Sequence, residues 1–78
     1  MPMNPSLSGV SVGTLSGREL QVLELIAEDI TDREIARRLD IRERTVRAHV
    51  SKIIFKLGVA SRVGAAVVIT EHAWRNRQ

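Results

Sequence analysis

One signature of helix initiation occurs twice in this chain, with the same internal spacing, and it limits what the chain can fold into. Ser16-Gly17-Arg18-Glu19 and Thr31-Asp32-Arg33-Glu34 each place a hydroxyl residue three positions before a glutamate. In such a capping box the hydroxyl accepts from an early backbone N–H of the helix. The glutamate reaches back to accept from the N–H of the capping residue itself. An apolar pair flanks each box, Leu15 with Leu20 and Ile30 with Ile35, at the spacing of a hydrophobic staple. Helices are therefore expected to start near residues 17 and 32.

Periodicity extends these starts into a fold. The first helix is expected to run to about Glu28, with Leu20, Leu23, Ile26 and Ala27 facing inward. The second, Asp32 to Leu39, buries Ile35, Ala36 and Leu39, and Asp40-Ile41-Arg42 separates it from a third helix of Glu43 to Leu57. In that helix Val46, Val50, Ile53 and Leu57 recur at helical spacing, with Ile54 on the flank, and Gly58 is the stop signal. Ser61 caps a fourth helix of about residues 62–73, with Ala65, Val68 and Ile69 toward the core. Val67-Val68-Ile69 is β-prone, but it sits inside helical spacing. The fold class is all-α: a four-helix bundle in which a short helix, a three-residue turn and a longer helix form a helix-turn-helix. Residues 1–14, with Pro2, Pro5, Gly9, Gly13 and several serines, read as a flexible leader or linker, which favours a fragment of a longer protein. The domain is expected over residues 15–74 and a tail over 75–78.

Composition removes several classes of function. A chain of 78 residues makes one domain and buries roughly 60–65% of its unfolded surface, so its core is marginal. There is no cysteine, and His49 and His72 have no partners at ligand spacing, so neither metal nor cofactor is expected. No apolar run approaches the roughly 18 residues of a membrane span, and no signal-peptide stretch opens the chain. A cytoplasmic, membrane-free domain is expected. No nucleophile–base set, carboxylate pair or phosphate-cradling loop supports an enzyme.

Charge is segregated. Residues 16–30 carry one basic side chain and four acidic ones, whereas residues 31–62 carry nine basic and four acidic. A block this basic suits a polyanion. On the third helix, the side opposite the apolar stripe shows Arg44, Ala48, Ser51, Lys52 and Phe55, with Arg47 on one shoulder and Thr45, His49 and Lys56 on the other. After Glu43 this helix has no acidic residue. Guanidinium groups match guanine edges and phosphates, hydroxyls suit phosphates, and a small Ala48 permits close approach to bases or a thymine methyl.

The stretches Leu15-Ser-Gly-Arg-Glu19, Val22-Leu23, Thr31-Asp-Arg-Glu-Ile-Ala-Arg-Arg-Leu39, Thr45-Val-Arg-Ala-His-Val-Ser-Lys52, Lys56-Leu-Gly-Val59 and Ser61-Arg62 together resemble the DNA-binding domain of the LuxR/FixJ/NarL transcriptional regulators. The resemblance covers about residues 15–70 without a gap. It implies a third helix that reads the major groove, a fourth that supplies a dimer contact, and a place behind a receiver or sensing domain. Position by position it implies that Arg47 contacts bases, with Ala48 and Ser51 beside it. Thr45, His49 and Lys52 match positions near the DNA backbone, and Arg33 a basic position at the start of the second helix. Five positions depart from the pattern. Arg42 replaces a usual Ser or Thr cap, Asp29 and Asp40 replace glycines, Phe55 a polar residue, and Gly64 a glutamate.

The DNA-contacting set is thus Arg33, Arg44, Thr45, Arg47, Ala48, His49, Ser51 and Lys52. The fourth helix has a second apolar stripe, Val63, Val67, Thr70 and Trp74, beyond what one core face requires, which reads as the seam of a weak homodimer. The expected partners are double-stranded DNA, a second copy, and as a further candidate RNA polymerase. The alternative function is a helical protein-interaction domain that contacts RNA polymerase or another regulator and binds DNA weakly.

Overall fold

In a computed structural model of the protein, residues 12–77 are described. Four helices lie wholly within the described residues: α1 Gly17–Ile26, α2 Asp32–Leu39, α3 Glu43–Leu57 and α4 Arg62–Arg77. Helix α3 packs against the other three, and α4 closes the bundle over α1 and α3. Among the described residues there is no strand.

The first capping box is complete. The backbone N–H of Glu19 donates to Ser16 Oγ at 3.1 Å, and that of Ser16 donates to Glu19 Oε1 at 2.9 Å. The second is only half made. Glu34 N–H donates to Thr31 Oγ1 at 3.1 Å, but the Glu34 carboxylate accepts instead from Arg37 Nε and Arg38 Nε, each at 3.0 Å. A carboxylate offered two guanidinium groups one turn ahead gains charge-assisted hydrogen bonds that the neutral N–H of Thr31 cannot match.

Helix α1 stops two residues short of the expected Glu28. Ala27 is its C-cap, and Asp29 takes the left-handed region at φ 60°, which turns the chain toward Thr31. Ala27 is therefore exposed rather than inward, and the core stripe is Glu19, Val22, Leu23 and Ile26. The ends of α2 and α3 close alike. Asp40 (φ 56°) and Gly58 (φ 67°) are left-handed, and the next N–H groups, of Ile41 and Val59, donate five residues back to Ala36 O and Ile54 O. Aspartate tolerates that geometry where most side chains do not, so Asp29 and Asp40 fill positions that glycine would also fill.

Helix α4 begins at Arg62, where Gly64 N–H meets Ser61 Oγ at 3.4 Å, and it runs to Arg77, four residues past the expected end and through most of the expected tail. Gly64 has a packing reason: a Cβ there would lie 3.0 Å from Val59 Cβ. Arg62 ties the start of α4 to that of α2, donating to Asp32 Oδ1 and, at 3.0 Å, to Ile30 O. Leu23, Ile35, Ile53, Val22 and Val46 are the largest fully buried side chains, each contributing roughly 1.5–3 kcal/mol of hydrophobic stabilisation. Leu20, Leu39, Val50 and Val68, expected in the core, are only partly buried against it. Val12, assigned above to the leader, is buried in this core, so the last part of residues 1–14 joins the domain; residues 1–11 lie outside the described part. No described helix is long and apolar enough to cross a membrane by itself.

Candidate nucleic-acid interface

Helix α3 owes its geometry to one buried stripe. Val46, Ile53 and Leu57 are buried against α1, α2 and α4, which fixes the rotation of the helix about its axis. The opposite side is thereby presented to solvent. Arg44, Arg47, Ala48, Ser51 and Lys52 are all exposed there, while Thr45 and His49 sit half-buried at the edge. The backbone at Arg42 is extended, as an N-cap requires, but its side chain makes no capping hydrogen bond. Arg33, second residue of α2, is exposed and lines a shallow polar cleft with Arg37, Asp40 and Glu43 along the turn. The structure thus gathers the sequence-predicted set on one side of α3, with Arg33 adjacent across the turn.

Ion pairs divide the basic block in a way that the sequence did not reveal. Arg37 and Arg38 are held by Glu34, and Arg38 also by Glu28 at 3.1 Å. The hydrogen bond from Arg37, then that from Arg38, lowers the Glu34 carboxyl to about 2. Lys56 pairs with Glu19 at 2.8 Å, and Arg62 with Asp32. Arg47 lies 3.8 Å from Glu43, one turn earlier on the same helix, with both side chains largely exposed. An exposed pair of this kind is worth about 0–1 kcal/mol, so a phosphate or guanine could take the guanidinium over. In the described part of the chain, Arg33, Arg42, Arg44 and Lys52 form no ion pair, nor do Arg18 on α1 and Arg77 at the end of α4.

His49 Nδ1 is buried and meets no hydrogen-bond partner. Only its Nε2 is then left to meet an acceptor outside the domain. Among the described residues, no cluster of three or more His, Cys, Asp or Glu side chains is placed to hold a metal ion.

On α4, Val63 (72% exposed), Val67 (51%) and Trp74 (62%) stand clear of the core, with Thr70 exposed between them. The Thr70 hydroxyl donates to Ala66 O at 2.8 Å, so it can lie in an apolar stripe without an unsatisfied group. Shallow grooves flank the stripe, one lined by Ala66 and Glu71, the other by Glu24, Ala27, Ile69 and Ala73.

The residues that sequence reasoning missed are Glu43 and the Glu19–Lys56 and Arg62–Asp32 pairs. An i, i+4 spacing could have revealed the first. The others join positions 37 and 30 residues apart and need the fold.

Residues 13–69 match the family described as bacterial regulatory proteins, luxR family. The nitrate/nitrite response regulator protein NarL of Escherichia coli (strain K12) is 48% identical over 56 residues, 72% of this chain and 26% of NarL. The spore germination protein GerE of Bacillus subtilis (strain 168) is 49% identical over 53 residues, 68% of this chain and 72% of GerE. The transcriptional regulatory protein DesR of Bacillus subtilis (strain 168) is 42% identical over 60 residues, 77% of this chain and 30% of DesR. The match thus spans about a quarter of NarL but most of GerE. With its helix-turn-helix, its cation-bearing third helix and these relatives, the chain belongs to the luxR family of bacterial regulatory proteins, as a DNA-binding domain of transcriptional regulators rather than an enzyme.

Proposed function

We propose that this domain binds double-stranded DNA sequence-specifically to regulate transcription, with α3 in the major groove. Arg44, Arg47, Ala48 and Ser51 face base edges. Thr45, His49, Lys52 and Arg33 approach the sugar–phosphate backbone, and Val63, Val67, Thr70 and Trp74 of α4 join two copies weakly. The observation that carries this reading is where the cations without ion pairs lie. Among the described residues, four of the six basic side chains without an ion pair, Arg33, Arg42, Arg44 and Lys52, belong to the helix-turn-helix or its turn, the other two being Arg18 on α1 and Arg77 at the end of α4. The arginines at 37, 38 and 62 and Lys56 are occupied by carboxylates. Exposed cations concentrated on the helix-turn-helix, with no acidic residue on α3 after Glu43, suit a phosphate backbone flanking a groove.

Selection of bound sequences from random duplex DNA at two salt concentrations tests this. A defined motif is expected at both concentrations, with affinity falling as salt rises. Recovery of no enriched motif, together with binding that ignores salt, would sink the proposal.

A further inference from the structure

Among the described residues, Phe55 is the most exposed of the large hydrophobic side chains, at 85%. The others so exposed, Val63, Val67 and Trp74, lie together on α4. Phe55 instead lies on α3, on the side opposite the buried stripe. At 100° per residue it falls within about 20° of both Arg44 and Ala48 on the helical wheel, and about 40° from Ser51. Arg44, Ala48, Ser51 and Phe55, spaced four, three and four residues apart, form one row along the exposed face.

We propose that Phe55 is a specificity residue for the outer edge of the half-site, where its ring packs on the 5-methyl group of a thymine. This rests on the placement of α3 in the major groove proposed above. Seven residues of helix separate Phe55 from Ala48, about 10 Å, which spans about three base pairs at about 3.4 Å each. Along the groove, Ala48 and Phe55 therefore meet different bases. A phenyl ring can neither donate to nor accept from a base edge. What it gains in the major groove is apolar contact, and thymine alone among the four bases offers a methyl group there. Set against cytosine, the ring would instead cover the N4 amino donor and leave it without a partner, so the contact discriminates thymine from cytosine.

The surroundings favour DNA over a protein groove. A protein hot spot needs packed neighbours that exclude water around the anchor. The exposed neighbours of Phe55 on α3 are Ser51, Lys52 and Lys56, which are polar or cationic. The aromatic side chain is thus the one large apolar group on the exposed face of α3, a face otherwise suited to a polyanion and continuous with the row that begins at Arg44.

The experiment is a thermodynamic cycle between the protein and the thymine methyl groups. Deoxyuridine replaces each thymine of the selected site in turn, and binding of the full chain and of its Phe55→Ala variant is measured on every duplex. In the wild type, one replacement about three base pairs outward from the Ala48 contact should weaken binding about fourfold, the worth of one buried methyl-sized group. The variant should be indifferent to that replacement, should lose the preference for thymine there in random selection, and should keep every other preference. The same sensitivities in variant and wild type on every duplex would overturn the proposal, as would a wild type indifferent to all replacements at that edge. Unchanged DNA binding, with loss of RNA polymerase recruitment in a purified transcription assay, would also overturn it and assign the ring to a protein. If the wild type selects no site at all, the placement of α3 fails instead, so the two failures are distinguishable.

Discussion

Oε1 of the buried Glu19 accepts from the backbone N–H of Ser16 at 2.9 Å and from the ammonium of Lys56 at 2.8 Å. One carboxylate thereby completes the N-terminal cap of α1 and anchors the last turn of α3. The hydrogen bond from Lys56 is the main reason the Glu19 carboxyl titrates below its ordinary range; the Ser16 backbone bond adds to this, against the desolvation of a buried charge. The bundle thus locks the far end of the helix proposed to read DNA to the first helix of the domain.

Lys56→Met keeps the aliphatic stem but removes the charge, leaving the buried carboxylate without its strongest partner. The expected cost is about 1–3 kcal/mol at neutral pH. The sign with pH follows from a folded-state pKa that is lowered. The stability from the pair is fully present above the unfolded value of about 4.3 and is lost as pH falls through the lower folded value. Denaturant melts of both proteins should therefore differ most above about pH 5 and converge on acidification. A gap that widens toward acid would mean that Lys56 is not what holds the Glu19 carboxyl down.

Arg42→Ser supplies a cap where the N-cap residue of α3 makes no side-chain hydrogen bond. The extended backbone there, φ −81° and ψ 152°, already suits a capping serine. The gain should be about 1 kcal/mol, or roughly 4–8 °C in Tm for a domain of this size. An unchanged Tm by calorimetry would show that the N-terminal N–H groups of α3 draw no benefit from a side-chain acceptor.

Local signals were legible in the sequence because they act within one turn. The starts of α1 and α2 and the stop at Gly58 follow from capping and turn chemistry within a few residues. The failures are competitions that a local pattern does not weigh. Glu34 completes a box on paper, yet two arginines ahead of it take its carboxylate. Ala27 continues the helical spacing, yet the left-handed Asp29 has already ended α1, and Val22 fills the core instead. At the interface, the outward face of α3 was legible from periodicity. Which cations that face keeps in water was not, because Glu19 and Lys56 are brought together only by the packing of α1 on α3.

The salt dependence of binding counts the phosphates that the domain neutralises. Arg33, Arg42 and Lys52 approach the backbone, and Arg44 and Arg47, the latter once its exposed pair with Glu43 opens, bring positive charge between the phosphates even while they face base edges. Four to six neutralised phosphates give a slope of log K against log salt of about −4 to −5, near −0.9 per phosphate. Titrations across a range of salt concentrations would read it, and a slope near zero would remove DNA as the principal partner.

Base readout and backbone positioning should separate at two exposed cations of α3. Arg47→Ala is expected to cost about 1–3 kcal/mol on the best site and to relax preference at one base position. Lys52→Ala should weaken selected and random duplexes alike and reduce the salt slope by about one. If both variants lose the same affinity on selected and random DNA, Arg47 positions the domain and does not read a base.

The α4 stripe leads to the last prediction, that isolated domains pair weakly and bind two half-sites more tightly than one. Val63, Val67, Thr70 and Trp74 follow one another at four, three and four residues and are all exposed, whereas Ala65 and Ile69 on the inner face are buried. One helix against its symmetry mate buries much less than the roughly 1,200–2,000 Å² of a stable interface, so pairing in free solution should be weak. On DNA, two adjacent half-sites raise the effective concentration and bring the seam together. Two-fold pairing implies an inverted repeat with centres about one helical turn apart. Val67→Glu would set like charges against each other across the axis without touching the buried residues. Since Val67 is 51% exposed in the single domain, the variant should keep its Tm and its affinity for one half-site. It should lose the cooperative gain on a double site, measured by titrating duplexes that carry one or two half-sites. Unfolding of the variant would place Val67 in the core, and cooperativity that survives in a folded variant would place the dimer contact on another face.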